Sequence, residues 1–363
     1  MAGNSRTAPV RFSVVMMHHP RRADRLPKVL AAFAPLRPRI VPDPVPDGPP
    51  SPLRTAKRAW ADIEDGATHH LVLQDDAVPV PDFVRHLWEA VTALPEHGIA
   101  MYSHWDSPQN SYLARRATVA DRAYAPLSPA EWTPTQGFVL PVDQAGRLAA
   151  FLTGIPDDVQ DDDEMVVVFC RKQGIPVVAT VPHLLDHGHD ETIVGHHGRF
   201  HATVHAPDLP VPDGHWRQRN GLEPGPYTVE LLDSRCGIRI VHGEPVEHQF
   251  GWYWYDACPL TGLAPEEILG RAEPWLSVFP AELLPVATEV WAAGYLLGAD
   301  VARAAVPAPP HGGGPLTRAA VSTWVDSGLA EPDRAAFDLD PLIDLGVAAV
   351  RCALTAHSGA HVR

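Results

Sequence analysis

The sequence predicts an α/β protein, a mostly parallel sheet flanked by helices with a mainly helical C-terminal appendage. Three observations carry this. Through the first half, short apolar runs rich in β-formers alternate with stretches of helical spacing. The composition then shifts near residue 200, where 206–226 is rich in Pro and Gly and reads as a linker or extended arm. Hydrophobic residues make up 45% of the 363, enough to bury a sizeable core and to exclude global disorder.

Phe12 to Met17 (FSVVMM) suits a buried strand, bounded by His18-His19-Pro20. Arg25 to Leu36 has helical spacing. Arg39 to Val41 is a second short strand, and the six prolines between Pro42 and Pro52 make a loop. Leu53 to Ile63 reads as a helix with Ala56, Trp60 and Ile63 on one face. His70 to Leu73 is a buried strand running into Gln74-Asp75-Asp76, and Pro81-Asp82 opens a helix from Phe83 to Leu94. Ile99 to Ser103 and Gly137 to Leu140 are strands, Asp143 to Leu152 and Glu164 to Lys172 helices, and Pro176 to Thr180 a last strand. Beyond the arm, Tyr227 to Tyr255 holds β-forming runs. Leu263 to Ala305 and Leu316 to Leu354 read as helices split by the Pro/Gly loop 307–315. The expected division is 1–205 and 206–363. The four aromatics of GWYWYDACPLTG, Gly251 to Gly262, are expected in the core of the second part. Its helical bundle is a candidate to shape a substrate pocket or to form a homodimer interface.

Charge narrows the partners. Lys plus Arg number 29 against 44 Asp plus Glu, a formal charge of −15, which disfavours nucleic acid and anionic membranes. The four cysteines lie far apart with no CxxC, so neither a zinc ribbon nor a disulfide scaffold is indicated. No apolar stretch reaches the ~18 residues of a membrane span, and the first apolar run is too short for a secretory segment. A soluble, cytoplasmic protein is the expectation.

In open α/β sheets ligands bind beyond the carboxyl ends of the strands, and Asp75 and Asp76 sit at such an end. Two adjacent carboxylates delivered by a dry strand suit a hard divalent cation, with bound diphosphate supplying further oxygens. The plain alternative is an exposed turn that caps the following helix.

Thr68 to Phe83 (THHLVLQDDAVPVPDF) resembles the metal-binding acidic motif of GT-A fold glycosyltransferases, whose sheet is Rossmann-like. Further segments resemble that family in order: FSVVMMHHPRR (Phe12 to Arg22) its first strand and nucleotide loop, RTAKRAW (Arg54 to Trp60) the helix before the acidic strand, TQGFVLP (Thr135 to Pro141) the segment beneath the sugar site, and IPVVATVPHLLDHGHDETIVG (Ile175 to Gly195) the closing strand and histidine segment. Together they cover about residues 11 to 197. A strict Asp-x-Asp would need an acid at Gln74, so the ribose contact of the first acid is missing.

The resemblance implies a nucleotide-sugar-binding catalytic domain and a hexosyl transfer with Mn2+ or Mg2+. It implies Asp76 as metal ligand, Asp75 facing the ribose, the donor sugar or the metal's surroundings, and His187 as a further metal ligand with His189 as substitute. The donor would be a nucleotide sugar, the acceptor a small molecule, glycan or peptide. Asp190 to His197 would close over the diphosphate, with Gly188 and Gly195 as hinge points.

The run Asp157, Asp158, Asp161, Asp162, Asp163 and Glu164 precedes a helix and partly complements its dipole. An inverting transfer needs one carboxylate to accept the acceptor proton; by the family pattern Asp163 is that base, with Asp162 and Glu164 as alternates and Asp161 serving the helix end and solvent. After the first strand, His18, His19, Pro20, Arg21 and Arg22 form a loop that can bond the nucleotide's base or phosphates. Asp43 is placed for base or ribose, and Trp132 and Gln136 for the acceptor side. Seven histidines between His183 and His205 leave a metal-dependent hydrolase as a second reading. A non-catalytic nucleotide-sugar-binding protein is a third.

Overall fold

The structure, a computed structural model, describes residues 9–157, 159, 161–188, 199–218, 221–241, 251–304 and 314–358. The expectations for Asp158, His189 and Asp190 to His197 lie outside these residues, as does most of the Pro/Gly loop at 307–315.

The first half alternates strand and helix: β1 (Phe12–His18), α1 (Leu26–Ala32), β2 (Arg39–Pro42), α2 (Pro52–Ala61), β3 (His69–Gln74), β4 (Ala77–Pro79), α3 (Phe83–Ala93), β5 (Gly98–Ala100), α4 (Asn110–Val119), β6 (Tyr124–Pro126), β7 (Gly137–Pro141), α5 (Val142–Thr153), α6 (Asp162–Gln173), β8 (Val177–Thr180) and β9 (Leu185–His187). Seven of these strands form one sheet in the order β2-β1-β3-β7-β5-β8-β6. Five point one way, while β7 runs against β3 and β5 and β6 runs against β8. The expected α/β architecture with a mostly parallel sheet is therefore present, in mixed form.

Both faces of the sheet are covered, which is why β1 and β3 read as continuous apolar runs. Val14, Met16, Leu71 and Leu73 pack toward α3, and Val15, Val72 and Phe138 toward α2, α5 and α6. The apolar face of α2, with Leu53, Ala56 and Trp60 fully buried, faces the second of these cores. Each such large side chain contributes roughly 1.5–3 kcal/mol of burial.

β4 and β9 make a separate antiparallel ribbon, with Ala77 opposite His187. Gly137, at the start of β7, lets the ribbon lie close. A Cβ there would stand 2.3 Å from the Leu185 side chain, nearer than any real contact.

The second half contains a three-stranded antiparallel sheet, β10 (Tyr227–Leu232), β11 (Arg235–Ile240) and β12 (Trp252–Tyr253), and the helices α7 (Trp254–Ala257), α8 (Pro265–Leu276), α9 (Leu284–Ala304), α10 (Pro315–Gly328), α11 (Glu331–Ala336) and α12 (Leu339–His357). One hydrophobic core joins these elements, and Tyr112 and Val119 of α4 belong to it. Across the same contact Tyr112 donates to Asp300 at 2.7 Å and the Arg116 guanidinium pairs with Asp300 at 2.9 Å. The aromatic cluster expected in the core is split. Trp254 is 1% exposed, but Trp252, Tyr253 and Tyr255 are 64%, 46% and 40% exposed. The short edge strand turns directly into α7, so only one side of the cluster meets the core. Among the described residues no helix is long and apolar enough to cross a membrane.

Candidate functional site

A cleft of about 580 Å³ opens along one edge of the main sheet. Its wall comes from the carboxyl ends of the parallel strands: Met17 and His18 of β1, Asp43 after β2, Gln74 to Asp76 at the end of β3, and Tyr102, His104 and Asp106 after β5. β7 runs the opposite way, so its start lies on this edge, with Thr135 and Gln136 just before it. The first turn of α6, Asp161 to Glu164, closes the β5 side. His187 and Phe200 complete the rim.

This cleft brings together His18, Asp43, Asp75, Asp76, Asp162, Asp163 and His187, and it includes Trp132 and Gln136. It does not include Pro20 or Arg21, both of which are exposed; Arg22 is buried there instead. The reason is local geometry. Pro20 to Arg22 is a single 3-10 turn whose first amide is capped by the His19 ring, Arg21 N–H donating to Nδ1 at 3.2 Å. With about three residues per turn, the second arginine points inward and the first outward.

Asp75 is fully engaged. Its Oδ2 accepts from His18 Nδ1 at 2.8 Å and from the His19 amide at 2.9 Å, and its Oδ1 accepts from Arg22 Nη1 at 2.7 Å. The same Nη1 donates to Asp76 Oδ2 at 2.7 Å. Burial works against the guanidinium's charge, but Asp76 and Asp75 outweigh it and hold the arginine's pKa above its usual range. Asp75 thus ties the loop after β1 to the end of β3. Asp43 is held similarly: Oδ1 accepts the Val45 amide at 2.9 Å and Oδ2 faces Arg54 at 3.5 Å. Gln74, where a strict triplet would have its first acid, donates to Thr135 Oγ1 at 3.0 Å and links β3 to the loop before β7.

Asp76 is different. Its side chain is 8% exposed, yet Oδ1 has no hydrogen-bond partner among the described residues. The β4–β9 ribbon sets His187 beside it, Nε2 lying 3.5 Å from Asp76 Oδ2. His187 Nδ1–H donates to the Gly188 carbonyl at 2.7 Å, which leaves a lone pair on Nε2 in the neutral ring. The Phe200 ring, 5.0 Å away between centroids, backs the imidazole. A carboxylate and an imidazole nitrogen facing each other at this separation suit a shared cation, and a carbonyl on Nδ1 is the usual orienting partner of a metal-bound histidine. Among the described residues no group of three or more His, Cys, Asp or Glu forms a metal cluster. These two side chains could therefore supply two ligands, with the remaining positions left for a bound substrate and water.

The start of α6 carries the second group of acids. Asp162 is 4% exposed and bonds Thr135, but its Oδ2 has no partner among the described residues. Burial raises its pKa to about 6 against the help of backbone amides. Asp163 is also raised, by burial and then by the neighbouring Asp162 charge, while its Oδ1 accepts the Glu164 amide at 2.8 Å. Asp161 occupies the N-cap position of α6 and lines the cleft but makes no side-chain cap bond. Because α6 meets the cleft end-on, the N-cap and the next three residues all border it. Side-on packing would have aimed only one of them inward.

Sequence reasoning missed His104, Asp106, Tyr102 and Phe200. His104 and Asp106 form an ion pair on the rim, and the only advance signal was their place just after a β5-like run. Of the other histidines, His183 Nδ1–H donates to the Thr180 carbonyl at 2.6 Å and burial drops its pKa to about 4. His201 faces Asp186 at 3.5 Å. Neither lines the cleft. No protein-family model and no curated protein matches the sequence.

Proposed function

We propose that the chain is a metal-dependent glycosyltransferase that moves a sugar from a nucleotide-sugar donor to an acceptor hydroxyl with inversion. The observation that carries the reading is one cleft holding two different acid groups. One is Asp76 with an open oxygen beside a His187 lone pair; the other is a buried carboxylate pair with raised pKa values. The sheet, with an antiparallel strand among parallel ones and a β-ribbon lying over the site, is compatible with the GT-A resemblance.

In this reading the nucleotide lies along the ends of β2 and β1, near Asp43, His18 and His19. Arg22 compensates charge there. Asp76 and His187 would hold Mn2+ or Mg2+, which when bound supplies Lewis-acid stabilisation of the leaving diphosphate. Asp163 receives the acceptor's hydroxyl proton as the general base. It is preferred to Asp162 because it is the less buried of the pair and Asp162 is already bonded to Thr135. Trp132 and Tyr102 supply flat walls for a sugar ring.

Calorimetry of the full chain with UDP, GDP and dTDP, each with and without Mn2+, tests this. Metal-dependent binding of one nucleotide, abolished in Asp76→Ala with the fold intact, is expected. Nucleotide binding indifferent to Mn2+ and to Asp76→Ala overturns the metal assignment, and no nucleotide binding at all overturns the transferase reading.

A further inference from the structure

We propose that the β5–α6 end of the cleft binds an ammonium group, so that the acceptor is an amine-bearing sugar or cyclitol. This rests on the transferase reading and adds the substrate class.

Four carboxylates line that end: Asp161, Asp162, Asp163 and Glu164. Among the described residues no Lys or Arg side chain lines it, and Arg22, which borders the cleft, is engaged with Asp75 and Asp76. The positive end of α6 offsets only about half a unit charge, against four acids in or beside its first turn. An anionic acceptor would meet repulsion from these acids.

The independent observation is Asp162. Its side chain is almost wholly buried, borders the cavity, and presents an oxygen with no hydrogen-bond partner among the described residues. A buried carboxylate oxygen left unpaired is costly, and an N+–H donor from a ligand is a strong partner for it. A divalent ion is a poorer occupant. Among the described residues these acids do not converge as a metal-ligating group; they are spread along a rim. That spacing suits a molecule with ammonium and hydroxyl donors at several points. Trp132, next to the Thr133 amide that donates to the Asp163 carbonyl, lines the same end, and aromatic faces attract both cations and the apolar side of a sugar ring.

Burial and mutual repulsion raise the pKa values of Asp162 and Asp163. An ammonium beside them favours their ionised form, which is the form a general base requires. Substrate charge would then prepare the proton acceptor.

The test is calorimetry on the full chain with two amines, methyl glucosaminide and 2-deoxystreptamine, each against its N-acetylated form, in the presence and absence of nucleotide and Mn2+. At least one amine is expected to bind ~10-fold or more tightly than its acetylated form, the preference shrinking in 0.5 M salt as screening requires and in Asp161→Asn. If acetylated forms bind as well as the amines, or neither binds, the ammonium site is wrong. Nucleotide binding with no amine preference overturns this inference and leaves the transferase reading standing. Amine preference without any nucleotide binding supports the ammonium site and removes the transferase. A folded circular dichroism spectrum is required of the variant, and the salt series decides alone if it fails to fold.

Discussion

The two ends of the cleft use the same side chain in opposite ways. At the β1–β3 end, Asp43 and Asp75 are satisfied by amides, His18, Arg22 and Arg54, and only Asp76 keeps an open oxygen. At the α6 end, Asp161 to Glu164 crowd together with no Lys or Arg lining the wall among the described residues. The first arrangement fixes carboxylates as hydrogen-bond acceptors that brace the loop and strand. The second pushes Asp162 and Asp163 toward neutrality. Paired acids build the floor of the site; crowded acids are the ones poised to exchange a proton.

The sharpest way to break the comparison is Asp163→Asn. The amide keeps the size and the Glu164 contact but cannot take a proton. Turnover, followed as nucleotide release, should fall about 10²–10⁴-fold, the usual worth of a general base, with donor affinity little changed. An equal loss of donor binding would mean that both ends belong to one structural unit.

Arg22→Ala attacks the other end. Removing one partner of a buried ion pair leaves uncompensated charge and costs ~3–5 kcal/mol, here shared between Asp75 and Asp76. Thermal unfolding should move down clearly, and Mn2+ should recover more stability in the variant than in the parent because it replaces the lost positive charge. Arg21→Ala should be nearly silent, since that side chain is exposed and lies off the cleft.

That contrast between neighbouring arginines also marks what the sequence made legible. β1 and β3 were readable because both faces of the sheet are covered, so the strands are apolar throughout and stop abruptly at polar residues. Asp75 and Asp76 follow from that stop. Arg22 in place of Arg21 was not readable, because a single 3-10 turn decides which side chain points inward. β4, β6 and β9 are three residues each, too short for a period-2 signal, yet β4 and β9 bring His187 to Asp76. α4 was missed for another reason. It is buried along its whole length, including Arg115 and Arg116, and so shows no amphipathic stripe. The end-on approach of α6, which lets four consecutive residues border the cleft, is likewise a tertiary fact.

pH sharpens the comparison further. A carboxyl whose folded pKa is raised binds its proton more tightly in the folded state, so stability is full below the unfolded value and falls as pH rises through the folded value. For Asp162 that window runs from about 3.8 to about 6. Buried Glu131, pushed up to about 8 by burial although its Oε2 accepts the Gln109 and Asn110 amides, extends the decline to mildly alkaline pH. Activity should move oppositely, rising through the Asp162–Asp163 window because the base must be ionised. Glu131→Gln, which keeps the amide-accepting oxygen, should flatten the alkaline part of the stability profile and leave the rate profile in place.

The smallest expected effect comes from Asp161→Asn. An N-cap acid that bonded the helix amides would be worth ~0.5–2 kcal/mol, but Asp161 makes no such bond. Its remaining roles are electrostatic. It complements the helix dipole, worth a few tenths of a kcal/mol at an open position, and it raises the pKa values of Asp162 and Asp163. The two partly cancel, so unfolding at neutral pH should shift by less than ~0.5 kcal/mol. The readable consequence lies in the pH dependence of the rate. With one negative neighbour removed, the acid limb should move to lower pH, because Asp162 and Asp163 then ionise more easily. A shift to higher pH, or a stability loss of the size of a missing cap, would place Asp161 back at the helix end and leave only three acids facing the acceptor along α6.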